Sequence, residues 1–324
     1  MRTLALSQAW MERGGAVTYY IATIPEPLVG RLLREGIRTI MVDEEPGSPG
    51  DAQSVKDGAA EFLPAAVVLD GYHFDAEFQR MVLDLDCKTV VVDDTGHLKK
   101  YYADIILNQN LGAGVELYPD IPNGCRLLLG SPYALLRREF LGRQQGLKNA
   151  PDIATRILVT LGGSDPDNVT MKVLEAIDRL GRKNLEVVVV AGGANVHFGA
   201  LASRAERMGC KPKVRQAVDN MPELMEWAHL AVSAAGSSCW EMAYMGLPNI
   251  VISLAENQRG IARSVGEYGC SMNLGWYETV SVESLAAALD DLSAQPGTRA
   301  AMSVKGRELI DGKGAARVME AINA

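Results

Sequence analysis

Two glycine-containing turns in the second half of the sequence have the residue types that bind phosphate. Gly162-Gly163 follow one apolar run, Gly236-Ser237-Ser238 follow another, and a helical pattern comes after each turn. Glycine lets the backbone approach a phosphate closely, and the free N–H groups at a helix N-terminus attract anions. We therefore predict that both turns bind the phosphate groups of a nucleotide, and an ordinary strand-to-helix turn is the alternative for Gly162-Gly163.

A glutamate and an amide pair lie close to these turns in the sequence. Glu241 follows Ser238 by three residues, which is the spacing of a capping box and also places a carboxylate near any ribose bound at the turn. Asn257 and Gln258 come at the end of the next predicted strand. Ligands of open α/β sheets bind beyond the carboxyl ends of the strands. The pattern therefore predicts that adjacent strand ends contact one nucleotide.

Polar residues also follow three predicted strands in the first half of the sequence. Tyr72, Asp94 and Asn108 each come at or just after a strand end, where such groups can serve acid–base chemistry or bind sugar hydroxyls. Helix capping by Asp94 and turn formation by Asn108 are the alternative. We favour a functional role for these three residues and a structural role for Asp93.

The motifs that the sequence lacks argue against several kinds of site. The four histidines show no metal-binding spacing, and neither a G-x-S-x-G nor a G-x-x-x-x-G-K-[ST] motif occurs. The five cysteines show no C-x-x-C spacing, which is typical of reduced thiols rather than of disulfides or zinc ligands. We expect no metal ion and no cofactor.

The amino-acid composition limits the classes of molecule that the protein is expected to bind. The 324 residues are 48% hydrophobic and 22% charged, with a formal net charge of -8. A negative net charge argues against a general nucleic-acid binder, and no apolar run is long enough to cross a bilayer. We expect a cytoplasmic protein that binds a small-molecule substrate, without a nucleic acid or a membrane as partner. The sequence does not predict an oligomeric state.

Short β-branched runs alternate with helical patterns, which predicts an α/β fold of two Rossmann-like domains with parallel sheets. We predict an N-terminal domain over residues 1–145 and a C-terminal domain over residues 152–324, joined near Gly146, Asn149 and Pro151. The last helix, from Ala315 onward, is expected to cross back onto the first domain. The predicted strands are Val17–Ala22, Arg38–Val42, Ala65–Leu69, Lys88–Val92, Asp104–Leu107, Arg126–Leu129, Arg156–Leu161, Leu185–Ala191, Lys213–Arg215, Leu230–Ser233 and Asn249–Ser253.

The sequence opens with a helical pattern at Met1, whereas a doubly wound domain normally opens with a strand and a glycine-rich turn. That opening strand usually lies near the centre of the sheet. Without it, the neighbouring strands are expected to leave a gap with unpaired backbone groups, each costing about 1–3 kcal/mol when buried. Either another strand fills the gap, or the chain is a shortened form of a longer protein.

Stretches distributed over nearly the whole sequence resemble the PseG/SpsG family of nucleotide-sugar hydrolases. They include VVLDGYHFD, VVVDDTGHLKKYYADIILNQN, ILVTLGGSDPDNVT and AAGSSCWEMAYMGLPNIVISLAENQ, in the order of the family. The last stretch also resembles the UDP-binding half of MurG-like glycosyltransferases. The resemblance implies a GT-B fold with a nucleotide-sugar cleft between its two domains. It also implies hydrolysis of UDP-2,4-diacetamido-2,4,6-trideoxy-β-L-altropyranose, for pseudaminic acid-type nonulosonate or related surface polysaccharide biosynthesis.

The same resemblance implies roles for single residues. In the family, a G-x-G-H turn supplies a histidine regarded as the catalytic acid or base, and this sequence has no counterpart of that turn. The resemblance implies that UDP contacts Gly162, Gly163, Gly236, Ser237, Ser238, Glu241, Asn257 and Gln258, that the sugar contacts Arg2 and Asn110, and that Tyr72, Asp94 and Asn108 shape the site of the reaction.

Two alternative functions stay open. A GT-B glycosyltransferase with a UDP-sugar donor would pass the sugar to an acceptor instead of water. A chain without the opening strand and its histidine could also be an inactive, truncated nucleotide-binding form.

Overall fold

The computed structural model of the protein describes residues 1–22, 26–143 and 151–324. The described part is an α/β protein, because parallel sheets alternate with helices along the chain. It divides into two compact units, one of Met1–Arg138 with Gly312–Ala324, the other of Glu139–Asp311. Gly146 and Asn149 of the predicted linker lie outside the described residues.

The helices and strands follow one another in the alternation that the sequence predicts. Up to Arg138 the elements are α1 (Arg2–Glu12), β1 (Thr18–Ile21), α2 (Glu26–Arg34), β2 (Arg38–Met41), α3 (Pro49–Phe62), β3 (Ala66–Asp70), α4 (Ala76–Leu83), β4 (Lys88–Val92), β5 (Ile105–Asn108) and β6 (Arg126–Leu129). The second unit contains β7 (Arg156–Thr160), α5 (Val169–Arg179), β8 (Glu186–Ala191), α6 (Phe198–Arg207), β9 (Lys213–Gln216), α7 (Met221–Trp227), β10 (Leu230–Ala234), α8 (Ser238–Met245), β11 (Asn249–Ser253), α9 (Glu256–Tyr268), β12 (Met272–Trp276), α10 (Val282–Ala294) and α11 (Pro296–Leu309). The last helix is α12 (Gly314–Asn323).

The described strands of the first unit form two parallel sheets. β1 pairs in parallel with β2, and β3, β4, β5 and β6 form a separate parallel sheet in that order. Within the described part of the chain, no strand pairs with the second edge of β1 or with the outer edge of β3. The first unit therefore contains two separate parallel sheets in the described part of the chain.

Helix α12 completes the core of the first unit. Its apolar residues Val318, Met319 and Ile322 are buried in one cluster with Leu6 of α1 and Val92 of β4. The guanidinium of Arg126 donates a hydrogen bond to the Ala321 carbonyl at 3.0 Å. Glycine is required at Gly314, because a Cβ there would collide with the backbone of Ala134.

The sheet of the second unit reverses its strand order at one point. Its strands lie in the order β12-β11-β10-β7-β8-β9, and all of them are parallel. The chain thus builds outward from β7 to β9 on one side and from β10 to β12 on the other. β7 and β10 therefore flank a topological switch point, beyond which ligands of such sheets bind.

The central strands of this sheet are buried on both faces. Leu158 and Val159 of β7 have no exposed surface, and neither have Ala231 and Val232 of β10. Because successive side chains of a strand point to opposite faces, both faces of these strands are buried. Strands buried in this way read as continuous apolar runs, which is why the sequence predicts them. β12 was not predicted, since Asn273 and Gly275 interrupt its apolar pattern.

Candidate functional site

Two loops lie side by side at the switch point of the second unit. β10 and β7 pair in register, with Val232 opposite Val159 and Ser233 opposite Thr160. The segments that follow these strands therefore leave the sheet at neighbouring positions. Both predicted glycine turns are in these two segments, so the structure brings them together at the carboxyl edge of the sheet.

The backbone of both loops is open to a ligand. A Cβ at Gly163 or Gly236 would meet no atom within 4 Å, and Gly162 has a φ of +87°, which favours glycine. In contrast, a Cβ at Gly192, just after β8, would collide with the backbone of Gly163. The absence of a side chain at Gly192 thus allows close packing of two loops. At Gly163 and Gly236 it leaves unoccupied space in front of the backbone.

The loop after β7 is held by a capping aspartate. Asp165 is buried, and its Oδ1 and Oδ2 accept the backbone N–H groups of Val169 and Thr170, each at 2.9 Å. These bonds satisfy the first donors of α5. The buried Asp165 therefore fixes the loop to the start of α5, while Gly162 and Gly163 are exposed.

The N-terminus of α8 differs from its predicted form. The predicted capping box from Ser238 to Glu241 is wrong, because the N-cap is Ser237 and its side chain makes no cap hydrogen bond. Ser237 has helical backbone angles, φ -57° and ψ -24°, whereas an N-cap that bonds the next turn is extended. The Ser237 side chain therefore caps none of these donors. The N–H groups of Cys239 and Trp240 donate to the Gly236 and Ser237 carbonyls at 2.9 and 3.1 Å, so those of Ser237 and Ser238 are the candidate donors to an external anion.

Glu241 lies in the first turn of α8 and is 8% exposed. The positive end of the helix dipole favours a carboxylate at this position. Asn257 and Gln258 lie in the first turn of α9, after the neighbouring strand β11. The Gln258 side-chain oxygen accepts the Leu254 N–H at 2.9 Å, which closes the turn between β11 and α9. The predicted UDP contacts thus lie at three adjacent strand ends.

The first unit holds a second cluster, centred on Asp94. Its Oδ1 accepts Arg2 Nη1 at 2.6 Å and Asn110 Nδ2 at 3.1 Å, and its Oδ2 accepts the Tyr72 hydroxyl at 3.0 Å. These residues come from the N-terminus of α1 and from the carboxyl ends of β3, β4 and β5. The structure therefore brings four of the predicted site residues into one hydrogen-bonded network.

Asp70 also belongs to this network and was not among the predicted site residues. Its carboxylate accepts Arg2 Nε at 3.1 Å and Nη2 at 2.7 Å, so it binds the guanidinium side-on. Burial alone would lower the pKa of Arg2, but the carboxylates of Asp70 and Asp94 outweigh burial and raise it. The position of Asp70 at the end of β3 was the available signal, since Asp94 follows the neighbouring strand in the same way.

Asp93 supports the cluster from the interior. Its Oδ1 accepts the N–H groups of Asp94 and Thr95, at 2.6 and 2.9 Å, and its Oδ2 accepts the Tyr101 hydroxyl. Burial alone would raise the pKa of Asp93, but the hydrogen bonds from Tyr101, Thr95 and His97 lower it. Asp93 is therefore a buried anion that fixes the turn that carries Asp94.

Asn108 also lies in the interior, behind Asn110. It has no exposed surface, its Nδ2 donates to the Tyr118 hydroxyl at 2.9 Å, and its Oδ1 accepts the Asn110 N–H at 3.1 Å. Both ends of the Asn108 side chain are thus engaged within the protein. In the structure it orients Asn110, and the more exposed Tyr72 and the half-buried Arg2 form the accessible part of the cluster.

The remaining histidines and acids do not form a metal site. In the described ranges of the chain, no group of three or more His, Cys, Asp or Glu residues is arranged to hold a metal ion. His97 Nδ1 lies 3.3 Å from Asp93 Oδ1, and His229 Nδ1 accepts the Thr155 N–H at 3.2 Å. His229 therefore has a structural role before β10.

Half of the chain matches a known family. The pattern of the glycosyltransferase family 28 C-terminal domain matches residues 156–318. The chain is 29% identical over 243 residues to the spore coat polysaccharide biosynthesis protein SpsG of Bacillus subtilis (strain 168), covering 74% of this chain and 70% of SpsG. None of the helices in the described segments combines the length and apolar character that crossing a bilayer requires.

Solved structures show the same fold. MurG of Acinetobacter baumannii superposes with a TM-score of 0.67 at 13% identity, covering 99% of this chain and 95% of MurG. Anabaena Alr3699/HepE, solved in complex with UDP-glucose, superposes with a TM-score of 0.62 at 11% identity, covering 99% of this chain and 95% of its own. At these identities the likeness shows the fold alone, and that fold is GT-B.

Proposed function

Because the chain belongs to the family of the glycosyltransferase family 28 C-terminal domain, among SpsG- and MurG-like GT-B proteins, we propose that it hydrolyses a UDP-linked sugar. The products are UDP and the free sugar. The observation that carries the proposal is the pair of glycine-lined loops at the switch point between β7 and β10, with open space in front of Gly163 and Gly236.

UDP is the proposed ligand of the second unit. The N–H groups at the start of α8 and the backbone at Gly162 and Gly163 provide donors for the diphosphate. Glu241, buried one turn into α8, is the proposed acceptor for the ribose hydroxyls. A structural relative, Alr3699/HepE, binds UDP-glucose, which supports a UDP-sugar as substrate.

The proposed reaction is a displacement by water at the anomeric carbon. The water oxygen forms a bond to that carbon, the bond to the β-phosphate oxygen breaks, and its electron pair leaves with UDP. One proton of the water passes to solvent. Backbone N–H groups aimed at the diphosphate lower the barrier, because they stabilise the charge that develops on the leaving group.

The cluster around Asp94 is the proposed sugar-binding site. Tyr72 is 48% exposed and its hydroxyl is oriented by Asp94, so we assign to it direct contact with the sugar. Arg2 and Asn110 are the other proposed sugar contacts. The resemblance to the PseG/SpsG family supports the diacetamido UDP-sugar as substrate, and nonulosonate or related surface polysaccharide synthesis as the setting.

Transfer of the sugar to an acceptor other than water is the second candidate function. The observations that favour it are the match to a glycosyltransferase family and the similarity of the chain to a UDP-N-acetylglucosamine transferase of Leuconostoc citreum (strain KM20). Both candidates share the UDP site and differ only in what attacks the anomeric carbon.

Turnover of the diacetamido UDP-sugar in ¹⁸O-labelled water tests the proposal. We expect UDP and a free sugar with ¹⁸O on its anomeric carbon, followed by NMR and mass spectrometry without any added acceptor. Release of UDP only after an acceptor is added would favour a transferase. UDP binding without turnover, measured by calorimetry, would indicate the inactive form, and absence of UDP binding would contradict the nucleotide site.

A further inference from the structure

We propose that Asp70 is a positioning residue that orients Arg2 toward the sugar of the nucleotide-sugar substrate. The inference rests on the proposed function and extends it to a residue with no role so far. Asp70 binds the guanidinium side-on through Nε and Nη2, and Asp94 accepts from Nη1. Because the guanidinium is planar and rigid, this clamp fixes both its plane and its rotation.

The clamp leaves two donors of Arg2 available. A guanidinium has five N–H groups, and the two carboxylates engage Nε–H and one N–H on each terminal nitrogen. One N–H on Nη1 and one on Nη2 therefore have no partner in the part of the chain that the structure describes. Arg2 can thus donate to oxygen acceptors in a direction that Asp70 sets.

The charges of Arg2, Asp70 and Asp94 indicate which kind of oxygen acceptor Arg2 binds. Arg2 has one formal positive charge, and Asp70 and Asp94 each have one formal negative charge. Arg2 Nη2 lies 2.7 Å from Asp70 and Arg2 Nη1 lies 2.6 Å from Asp94, so the excess charge is negative and local. A diphosphate would be repelled here, whereas hydroxyl and acetamido carbonyl oxygens of an uncharged sugar would not.

Asp94 by itself would not hold Arg2 in one orientation. It makes one hydrogen bond to the guanidinium, and its other contacts go to Tyr72 and Asn110. A single bond allows the guanidinium to rotate about it, which would move the two remaining donors. Misplacement of a positioning group by about 1 Å can lower a rate by up to about a hundredfold.

A double-mutant cycle tests this role. We expect Asp70→Asn to lower kcat/KM for the diacetamido UDP-sugar by about tenfold, with UDP affinity unchanged. Arg2→Lys keeps the charge without the side-on geometry, and should lower kcat/KM at least as much. Because Asp70 acts through Arg2, Asp70→Asn should cause no further loss in the Arg2→Lys background. Asp70→Glu, which retains the carboxylate, should recover part of the activity.

Asp86→Asn is the matched control, because Asp86 is an exposed carboxylate of the same unit. It should leave kcat/KM unchanged, and all variants should keep the wild-type unfolding temperature within a few degrees. A further tenfold loss in the Arg2→Lys background would show that Asp70 acts on the substrate directly and would overturn the proposal. An equal loss of affinity for UDP alone would also overturn it, since it would assign Arg2 to the diphosphate.

Calorimetry separates this inference from the proposed function. If the wild type binds the UDP-sugar but releases no UDP, the proposed hydrolysis is contradicted. The role of Asp70 can still be measured from the affinity of the protein for the UDP-sugar. Wild type and Asp70→Asn should then differ about tenfold in Kd for the UDP-sugar and should agree for UDP. Equal Kd values for the UDP-sugar would overturn the inference.

Discussion

Tyr101 donates its hydroxyl hydrogen to the buried carboxylate of Asp93, just beyond the end of β4. The same carboxylate accepts the N–H groups of Asp94 and Thr95. The turn that presents Asp94 is therefore held from inside by an anion, and the hydroxyl of a fully buried tyrosine is one of the donors that stabilise it.

We predict that Asp93→Asn destabilises the protein at neutral pH. The pKa of Asp93 is below its usual value in the folded state, so its charge contributes stability above the unfolded pKa of about 3.9. That contribution is lost as the pH falls through the lower folded pKa. We expect a loss of about 1–3 kcal/mol in the free energy of unfolding at pH 7, and a smaller difference at pH 3. Urea denaturation at both pH values measures it, with Asp86→Asn as control.

An equal difference at pH 7 and pH 3 would show that the charge of Asp93 is not the source of the stability. A Tyr101→Phe variant adds a second measurement. It removes one donor to Asp93 and should raise the pKa of that carboxyl, so the acid transition should move to higher pH.

We predict that Gly236→Ala weakens UDP binding while the protein remains folded. The added methyl group would occupy open space, with no protein atom within 4 Å, where the phosphate is proposed to bind. We expect about tenfold weaker binding by calorimetry, and a free energy of unfolding within about 0.5 kcal/mol of wild type.

Gly192→Ala is the contrasting variant. Its methyl group would collide with the backbone of Gly163, so it should cost about 1–3 kcal/mol of stability. If Gly236→Ala bound UDP as tightly as the wild type, the phosphate site would have to lie elsewhere.

We predict that Glu241→Gln weakens binding through the ribose. Loss of a charged hydrogen-bond partner should cost about 1–3 kcal/mol in UDP affinity. For 2′-deoxyuridine diphosphate, the variant and the wild type should have nearly the same affinity. This analogue lacks one of the hydroxyls from which Glu241 is proposed to accept a hydrogen bond. Glu267→Gln, on the exposed side of α9, is the control. Equal losses for both ligands would assign Glu241 to the stability of α8.

We predict that two thiols, the buried Cys239 and the half-buried Cys125, react slowly in the folded protein. Burial raises the pKa of Cys239 to about 12 and that of Cys125 to about 11. Since the thiolate is the reactive form, both should be alkylated at pH 8 only after unfolding. Mass spectrometry after timed iodoacetamide treatment, with and without urea, measures this. Rapid labelling of Cys239 in the folded state would contradict its burial.

Local pattern predicted most strands, but not the details that depend on distant residues. The predicted Lys88–Val92 and Asn249–Ser253 agree with β4 and β11, because both are continuous apolar runs. β12 was missed because Gly275 and Asn273 weaken its pattern. The cap of α8 was wrong by one residue, since the backbone angles of Ser237 cannot be read from residue types.

In the candidate site, too, some residues could be predicted from the local sequence and others depend on the fold. Tyr72, Asp94 and Asn110 could be predicted because they follow strands whose carboxyl ends share one edge of a sheet. Asp70 ends β3 and could have been predicted on the same ground, but its ion pair with Arg2, 68 residues away in the sequence, depends on the fold. The interior position of Asn108 likewise depends on Tyr118 packing against it.

The return of α12 to the first unit has a consequence for synthesis on the ribosome. Val318, Met319 and Ile322 pack in the core with Leu6, so that core lacks some of its apolar contacts until α12 has left the exit tunnel. The second unit, continuous from Glu139 to Asp311, has all of its residues available earlier. The later half of the polypeptide therefore has the first opportunity to fold completely, and the N-terminal unit matures last.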